Sequence, residues 1–506
     1  MSEKIKNILL EVCANLFFIG ALLFLFVNPW ADKNYPMQKH WNVFFVLSAD
    51  TSGHDSGTGL SIFLGFVLPS VILFLVFTAF RIFIWKKKGL TLPAGKYLCA
   101  AAMLFALSLA VTAFSKQGWR YVQISRAVKA APADSEFYRA HFVDTSEVSL
   151  TAPQKKRNLV YIFMESMENS YADYDNGGVM PVNLIPELTA LCNEGVNFGA
   201  SQGLGGGENL EGTSWTSAGL LSKTMGVPYF MPFSKNADGS QGCLDNTRSL
   251  YDFLSDQGYR NVFAMGSEKQ FENRDLILER HGVEVHDIGY YKASGMIPAD
   301  YQVFWGFEDQ KLYEVSKKEL EALGERFLAD GAPFSFSLLT VDTHFPSGFK
   351  CALCMTEHSS QIENVISCAD RQVAAFIRWI QSTTWGRDTV IVITGDHNYL
   401  DAPLNNFMRE HGAAHSWAEL QARRHFFNLF INAAKEPPAA LGRSRAFSSF
   451  DMMPSVLEAL GFTFDTDGIA LGRSLFSEEP TLIERFGVQS VEAETMRRTV
   501  QYERLK

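Results

Sequence analysis

The chain has no surplus of positive charge: 45 Lys and Arg stand against 55 Asp and Glu, a formal net charge of −10. A general nucleic-acid binder needs a basic footprint, so the charge balance argues against that class. From Asn158 onward there is no internal repeat and no low-complexity tract. Cysteine is scarce, with seven in 506 residues, and two of them, Cys13 and Cys99, lie in apolar runs. The other five, Cys192, Cys243, Cys351, Cys354 and Cys368, are an odd number, so at least one thiol has no partner among them. Cys351-x-x-Cys354 suggests zinc or a redox motif, but it has no second CxxC to pair with and no thioredoxin-like surroundings. A local disulfide, with Cys368 as an available partner, is the plainer reading.

What the chain does have is apolar bulk. Hydrophobic residues make up 47% and phenylalanine alone contributes 41, more than a soluble enzyme needs. The excess sits at the front, in Val12–Trp30, Leu60–Phe80 and Tyr97–Phe114. Each is long enough to cross a ~30 Å hydrocarbon core as a helix. Residues 1–115 are therefore expected to form a membrane domain of three helices, near 12–30, 60–80 and 97–114, with Pro69 kinking the second. Val27–Trp30 lacks a small-residue cleavage pattern, which favours an anchor over a cleaved signal. Lys4 and Lys6 precede the first run, and Arg81, Lys86, Lys87, Lys88 and Lys96 crowd the second loop. The positive-inside rule puts both segments in the cytoplasm and everything after Phe114 outside. Chemistry there must use a donor already activated, such as a membrane lipid.

Residues 116–157 read as a linker, and Gly118–Lys129 suits either an interfacial helix or an exposed connector. Beyond it, strand and helix patterns alternate. Strands are expected at Leu159–Met164, Asn261–Met265, Phe334–Val341, Thr389–Thr394 and Phe426–Asn432. Helices are expected at Pro186–Glu194, Ser249–Gly258, Leu312–Leu328, Ser367–Ser382 and Asp451–Leu460. This pattern predicts an α/β domain over 158–506 with a doubly wound, mostly parallel sheet.

Two of these strands end in metal-ligand side chains. NLVYIFMES delivers Glu165, and TVIVITGDHN delivers Asp396 and His397. Ligands collect beyond the carboxyl ends of parallel strands, so the three can meet around a divalent cation. Phe334–Val341 runs into Asp342-Thr343-His344, which places His344 at a third strand exit for acid–base work, phosphate contact or a second metal. Asn273-Arg274 follows Asn261–Met265, and a guanidinium there suits a phosphate. The glycine-rich segment Gly203–Met225 is the place for a nucleophile. Thr213, at a helix start, is the first choice and Thr216 the second, although a helix cap would occupy the same place as Thr213.

In order along the chain, NLVYIFMES, EGTSWT, FENRD, TVDTHFP, TGDHN and FDMMPSVLEALG resemble the alkaline-phosphatase/sulfatase superfamily. The similarity is strongest to its branch of lipoteichoic acid synthases and phosphoglycerol transferase I, and GIALGRSLF at Gly468–Phe476 looks like the latter. The resemblance implies a membrane bundle joined to an extracytoplasmic catalytic domain of sulfatase type, in a bacterial inner membrane. It implies Glu165, Thr213, Asp396 and His397 as ligands of one divalent cation, manganese in the synthases and zinc in phosphoethanolamine transferases. Thr213 would be the nucleophile, with Arg274, Asn273 and His344 holding glycerol phosphate. Glu272 stands where the synthases have tryptophan, and three spans replace their five, which favours the phosphoglycerol transferase side over the polymerases.

The activity so implied takes phosphoglycerol from phosphatidylglycerol through a phosphothreonine to an extracytoplasmic hydroxyl, on a glycan or another acceptor. A phosphoethanolamine transferase would share this core. A sulfatase would need a C/S-x-P-x-R context that Gly203–Met225 lacks. A non-catalytic, membrane-anchored glycan receptor would have no use for the ligand set.

Overall fold

The computed structural model describes residues 3–34, 63–88, 94–114, 132–199, 203–230, 244–345, 347–399, 422–497 and 499–505. They fall into two compact units, one within residues 3–114 and one from residue 132 onward. Gly118–Lys129 and Cys243 lie outside the described residues.

Among the described residues the first unit has three α-helices, α1 (Glu3–Asn34), α2 (Leu68–Lys88) and α3 (Ala94–Phe114). Pro69 opens α2 just after a π-helical turn at Phe63–Val67, where its missing N–H does least harm. Ala14, Phe18, Leu22, Tyr97 and Ala101 form a small core, and Ile5, Leu16, Leu75, Phe80 and Leu107 point outward. One polar set crosses this bundle. Arg81 pairs with Glu11 at 2.8 Å and lies over the Tyr97 ring, whose hydroxyl donates to Asn15. Two stretches, Ile5–Val27 and Phe63–Ile84, are long and apolar enough to cross a membrane; α3 offers the shorter Lys96–Val111.

The second unit is built on a six-stranded sheet of order β4-β3-β5-β2-β6-β7. Its strands are β2 (Asn158–Met164), β3 (Arg260–Met265), β4 (Val283–His286), β5 (Phe334–Leu339), β6 (Thr389–Gly395) and β7 (Asn428–Ile431). All neighbours run parallel except β7, which pairs antiparallel with β6. β2, β5 and β6 are buried along their whole length, as their Val, Ile and Phe runs require of strands covered on both faces. Two-residue strands, β1 (Leu150–Thr151) and β8 (Thr463–Phe464), pair apart from this sheet. Helices used below are α4 (Pro186–Leu191), α5 (Thr216–Met225), α6 (Leu250–Asp256), α7 (Arg274–Arg280), α8 (Asp309–Asp330), α9 (Gln361–Ser382) and α10 (Met452–Ala459). Ser249 and Ser360 start α6 and α9 with capping boxes. The five expected strands and five expected helices are all present, with ends displaced by a few residues.

Candidate active site at the carboxyl ends of four parallel strands

The strand order puts the exits of β3, β5, β2 and β6 side by side. Between β2 and β6 the register pairs Met164 with Gly395, so the next residues, Glu165 and Asp396, leave the sheet together. Two threonines after β5 clamp the Glu165 backbone. Its N–H donates to Thr340 Oγ1 at 3.0 Å, and its carbonyl accepts from Thr343 Oγ1 at 2.5 Å. Ser166 then turns with φ +52°, a left-handed conformation that a serine holds only when its surroundings impose it. Its Oγ donates to Glu165 Oε1 at 2.5 Å and its N–H to Asp396 Oδ1 at 2.7 Å. Ser166 therefore joins the two carboxylates.

Glu165, Asp396 and His397 are buried, and one ligand atom from each lies within 4.8 Å of the other two. His397 Nε2 is 3.6 Å from Glu165 Oε1 and 3.5 Å from Asp396 Oδ2. Ligands about 2.0–2.2 Å from a cation lie roughly 3–4 Å from one another, so the spacing fits a shared ion. Asp396 Oδ1 accepts two amides, from Ser166 and His397, whereas Oδ2 is buried with no hydrogen-bond partner. A buried carboxylate oxygen without a partner is costly, and a cation satisfies it. Burial, and then the neighbouring Glu165 charge, pushes the Asp396 carboxyl up to about 7. Burial disfavours the charged form of His397, but Asp396 and Glu165 outweigh it and raise the imidazole. His397 Nδ1 lies 2.7 Å from the Asn398 carbonyl, which fixes the proton there and leaves Nε2 free to ligate.

The two candidate threonines, Thr213 and Thr216, have different surroundings. Thr213 is fully buried, and its hydroxyl donates to the Leu210 carbonyl at 2.8 Å. Helix α5 begins three residues later, and Thr216, its first residue, is partly exposed. Thr216 Oγ1 lies 3.3 Å from Glu165 Oε2 and 3.4 Å from His397 Nε2, so Thr216 joins the ligand cluster. Gly219 lets α5 pack onto the β6 exit: a Cβ there would lie 2.0 Å from the Asp396 carbonyl oxygen. Lys223, buried on the same helix, donates from Nζ to that carbonyl at 2.7 Å and to Ser449 at 3.1 Å. Burial lowers its ammonium to about 7, against the pull of Asp396.

Arg274 and His344 lie within the field of the cluster, whereas among the described residues the Asn273 side chain has no hydrogen bond to it. Arg274 is buried and donates to the carbonyls of Phe271 and Glu268. Burial lowers its guanidinium, opposed by Glu272, Glu165 and Asp396. Asn273 turns the chain into α7 at φ +58° and makes no side-chain capping bond. The His344 ring packs 4.9 Å from Trp305 and 4.7 Å from Phe345. Burial brings its imidazole down to about 4, so it is neutral at neutral pH. Its Nδ1 lies 2.9 Å from the Phe345 carbonyl.

Four residues here went unread as site residues in the sequence. The sequence reading gave Ser166, Lys223 and Trp305 no role. Glu272 drew notice only as a departure from a pattern, yet its Oε2 accepts the Ser217 N–H at 3.0 Å, in the first turn of α5. Only the TSWT repetition of hydroxyls hinted at the choice of threonine.

A model of the sulfatase family matches residues 157–462. Phosphoglycerol transferase I of Escherichia coli O139:H28 is 33% identical over 365 residues, which are 70% of this chain and 43% of that protein. The Salmonella arizonae protein of the same name is 33% identical over 363 residues, with the same 70% and 43% coverage. The chain thus spans less than half the length of these curated relatives. Lipoteichoic acid synthase LtaP from Listeria monocytogenes shares the fold at TM-score 0.50 and 17% identity, over 71% of this chain and 82% of that one. The integral membrane lipooligosaccharide phosphoethanolamine transferase A from Neisseria meningitidis does so at TM-score 0.50 and 13% identity, over 90% and 84%.

Proposed function

Because the chain belongs to the sulfatase family, matched over residues 157–462, we propose that it is a membrane-anchored phosphotransferase. It moves the phosphoglycerol group of phosphatidylglycerol to an extracytoplasmic hydroxyl, on a glycan, through a phosphothreonine at Thr216. The observation that carries this reading is the position of Thr216 Oγ1 against Glu165 Oε2 and His397 Nε2, at 3.3 and 3.4 Å. The phosphoglycerol transferases that are 33% identical to it favour this donor over phosphatidylethanolamine.

Glu165, Asp396, His397 and the Thr216 hydroxyl would hold one divalent cation, manganese first and zinc or magnesium by the same ligands. That ion would lower the pKa of the hydroxyl and neutralise charge on the transferring group. Thr216 Oγ1 forms a bond to phosphorus as the bond from phosphorus to the diacylglycerol oxygen breaks, and the hydroxyl proton ends on the released diacylglycerol. Arg274 and the N-terminal amides of α5 offset the negative charge of the group in flight. His344, neutral and with Nδ1 turned to the Phe345 carbonyl, presents Nε2 as a base. It takes the proton of the incoming acceptor hydroxyl and returns it to Thr216 Oγ1 as the phosphothreonine is cleaved.

The apolar helices supply the lipid end of the reaction. We place α1, α2 and α3 as three spans, with Lys86–Lys88 cytoplasmic and residues 158–506 outside. Tethering raises the effective concentration of a lipid donor without adding a contact. The test is mass spectrometry of the Thr216 peptide after incubation with vesicles of phosphatidylglycerol or of phosphatidylethanolamine. A phosphoglycerol adduct on Thr216 is expected from the first lipid alone. A phosphoethanolamine adduct would change the donor. No adduct from either lipid, in protein that holds its cation, would remove the phosphothreonine route.

A further inference from the structure

Beyond β5 and His344 the chain makes a tight turn in which the Cys354 N–H donates to the Cys351 carbonyl at 3.2 Å. Helix α9 then brings Cys368 to the same place. Cys351 Sγ lies 3.7 Å from Cys354 Sγ and 3.8 Å from Cys368 Sγ, and all three sulfurs lie within 4.8 Å of one another. Cys351 and Cys368 are buried and Cys354 is partly exposed. Gln372, one turn along α9, aims its amide nitrogen at Cys368 Sγ at 3.3 Å and at Cys351 Sγ at 3.7 Å.

We propose that Cys351, Cys354 and Cys368 form a second metal site, which binds zinc through three thiolates and is separate from the Glu165–Asp396–His397 cluster. The sulfur spacing carries the argument. Thiolates ~2.3 Å from a tetrahedral zinc lie about 3.8 Å apart, and the two measured separations are 3.7 and 3.8 Å. A disulfide brings two sulfurs to ~2.05 Å and leaves the third without a partner. The C-x2-C turn is the spacing at which one backbone turn presents two sulfurs to one ion. Gln372 supplies the outer hydrogen bonds that buried thiolates need, since an N–H directed at sulfur favours the anion. Binding releases the three thiol protons, and the partly exposed Cys354 marks the side from which a fourth ligand arrives. The ion would fasten the segment that follows His344 to α9, where the sequence suggested a disulfide.

The full-length protein, in detergent and without reductant or chelator, is loaded with Zn2+ or Co2+ and dialysed. The background is the double variant Glu165→Gln, Asp396→Asn, which disables the first site. One zinc per chain should remain, cobalt should give a thiolate charge-transfer band, and the three cysteines should resist alkylation until a chelator is added. Cys368→Ser and, at the less buried position, Cys354→Ser should each remove the ion and the band. The melting temperature of Cys354→Ser reports whether that variant still folds. A disulfide between any two of these cysteines in a non-reducing peptide map, without retained zinc, would overturn the proposal. So would zinc that survives Cys354→Ser in folded protein.

Discussion

Thr213 and Thr216 sit three residues apart in one motif, and their surroundings give them opposite work. Thr213 spends its proton on the Leu210 carbonyl in a buried turn, whereas Thr216 faces two candidate ligands from a partly exposed helix start. Thr216→Ala should lower diacylglycerol release by orders of magnitude and barely move the melting temperature. Thr213→Ala should do the reverse, costing about 1 kcal/mol of stability while turnover persists. Release from vesicles and thermal melts of both variants separate the two. A second prediction follows from Asp396, whose carboxyl is pushed to about 7 by burial and by Glu165. A carboxyl that binds its proton more tightly folded than unfolded stabilises the fold most below its ordinary ~4 and loses that contribution as pH rises. Metal-free protein should therefore lose stability between the ordinary carboxylate range and about 7, and added Mn2+ should restore it at the upper end. Protons compete for the same oxygen, so cation affinity measured by calorimetry should weaken as pH falls below about 7. Glu165, Asp396 and His397 were legible because each ends an apolar run that can only be a covered strand. Which of Thr213 and Thr216 approaches them was not, because a cap and a first helical residue differ by a turn geometry that sequence spacing does not resolve.

Among elements, the strands with continuous apolar runs were readable and the others were not. Val283–His286 carries Glu284 and His286 in four residues, and β4 forms because edge position lets Glu284 face outward to Arg260 at 2.7 Å. The close approach of α5 to the β6 exit was also hidden, since Gly219 reads as an ordinary weak point in a helix. Gly219→Ala would set a methyl 2.0 Å from the Asp396 carbonyl and force the helix outward. It should destabilise the fold by about 1–3 kcal/mol and weaken cation binding as well, read from melts and titration of one sample. Another join was invisible because its halves are remote in sequence. Arg424, just before β7, pairs bidentately with buried Glu168 after β2, at 2.8 and 2.7 Å. Arg424→Met leaves that carboxylate buried without its charged partner, held by Ser170 Oγ and the Tyr399 N–H, and a loss of about 3–5 kcal/mol is expected in denaturant unfolding.

For the molecule as a whole, the surplus of phenylalanine divides between a covered sheet and helices whose Leu16, Leu75, Phe80 and Leu107 point outward. Outward-facing apolar side chains in that number need a lipid or detergent partner. The full chain should require detergent, whereas a fragment beginning at Ala131 should stay dispersed without it and keep its cation, as sedimentation and metal analysis would report. Hydropathy separates the apolar front of the chain from the α/β remainder. Of the three runs expected to span, α3 carries only the shorter apolar stretch Lys96–Val111, whereas Ile5–Val27 and Phe63–Ile84 are long and apolar enough to cross a membrane.

The pairing of Met164 with Gly395 also bears on how the protein comes to life. These strands are neighbours in space but lie far apart along the chain, so they meet only after a long loop has closed. The candidate ligand trio exists only once that closure is complete. A nascent or half-refolded chain in which these strands have not yet paired therefore does not hold Glu165 and Asp396 side by side.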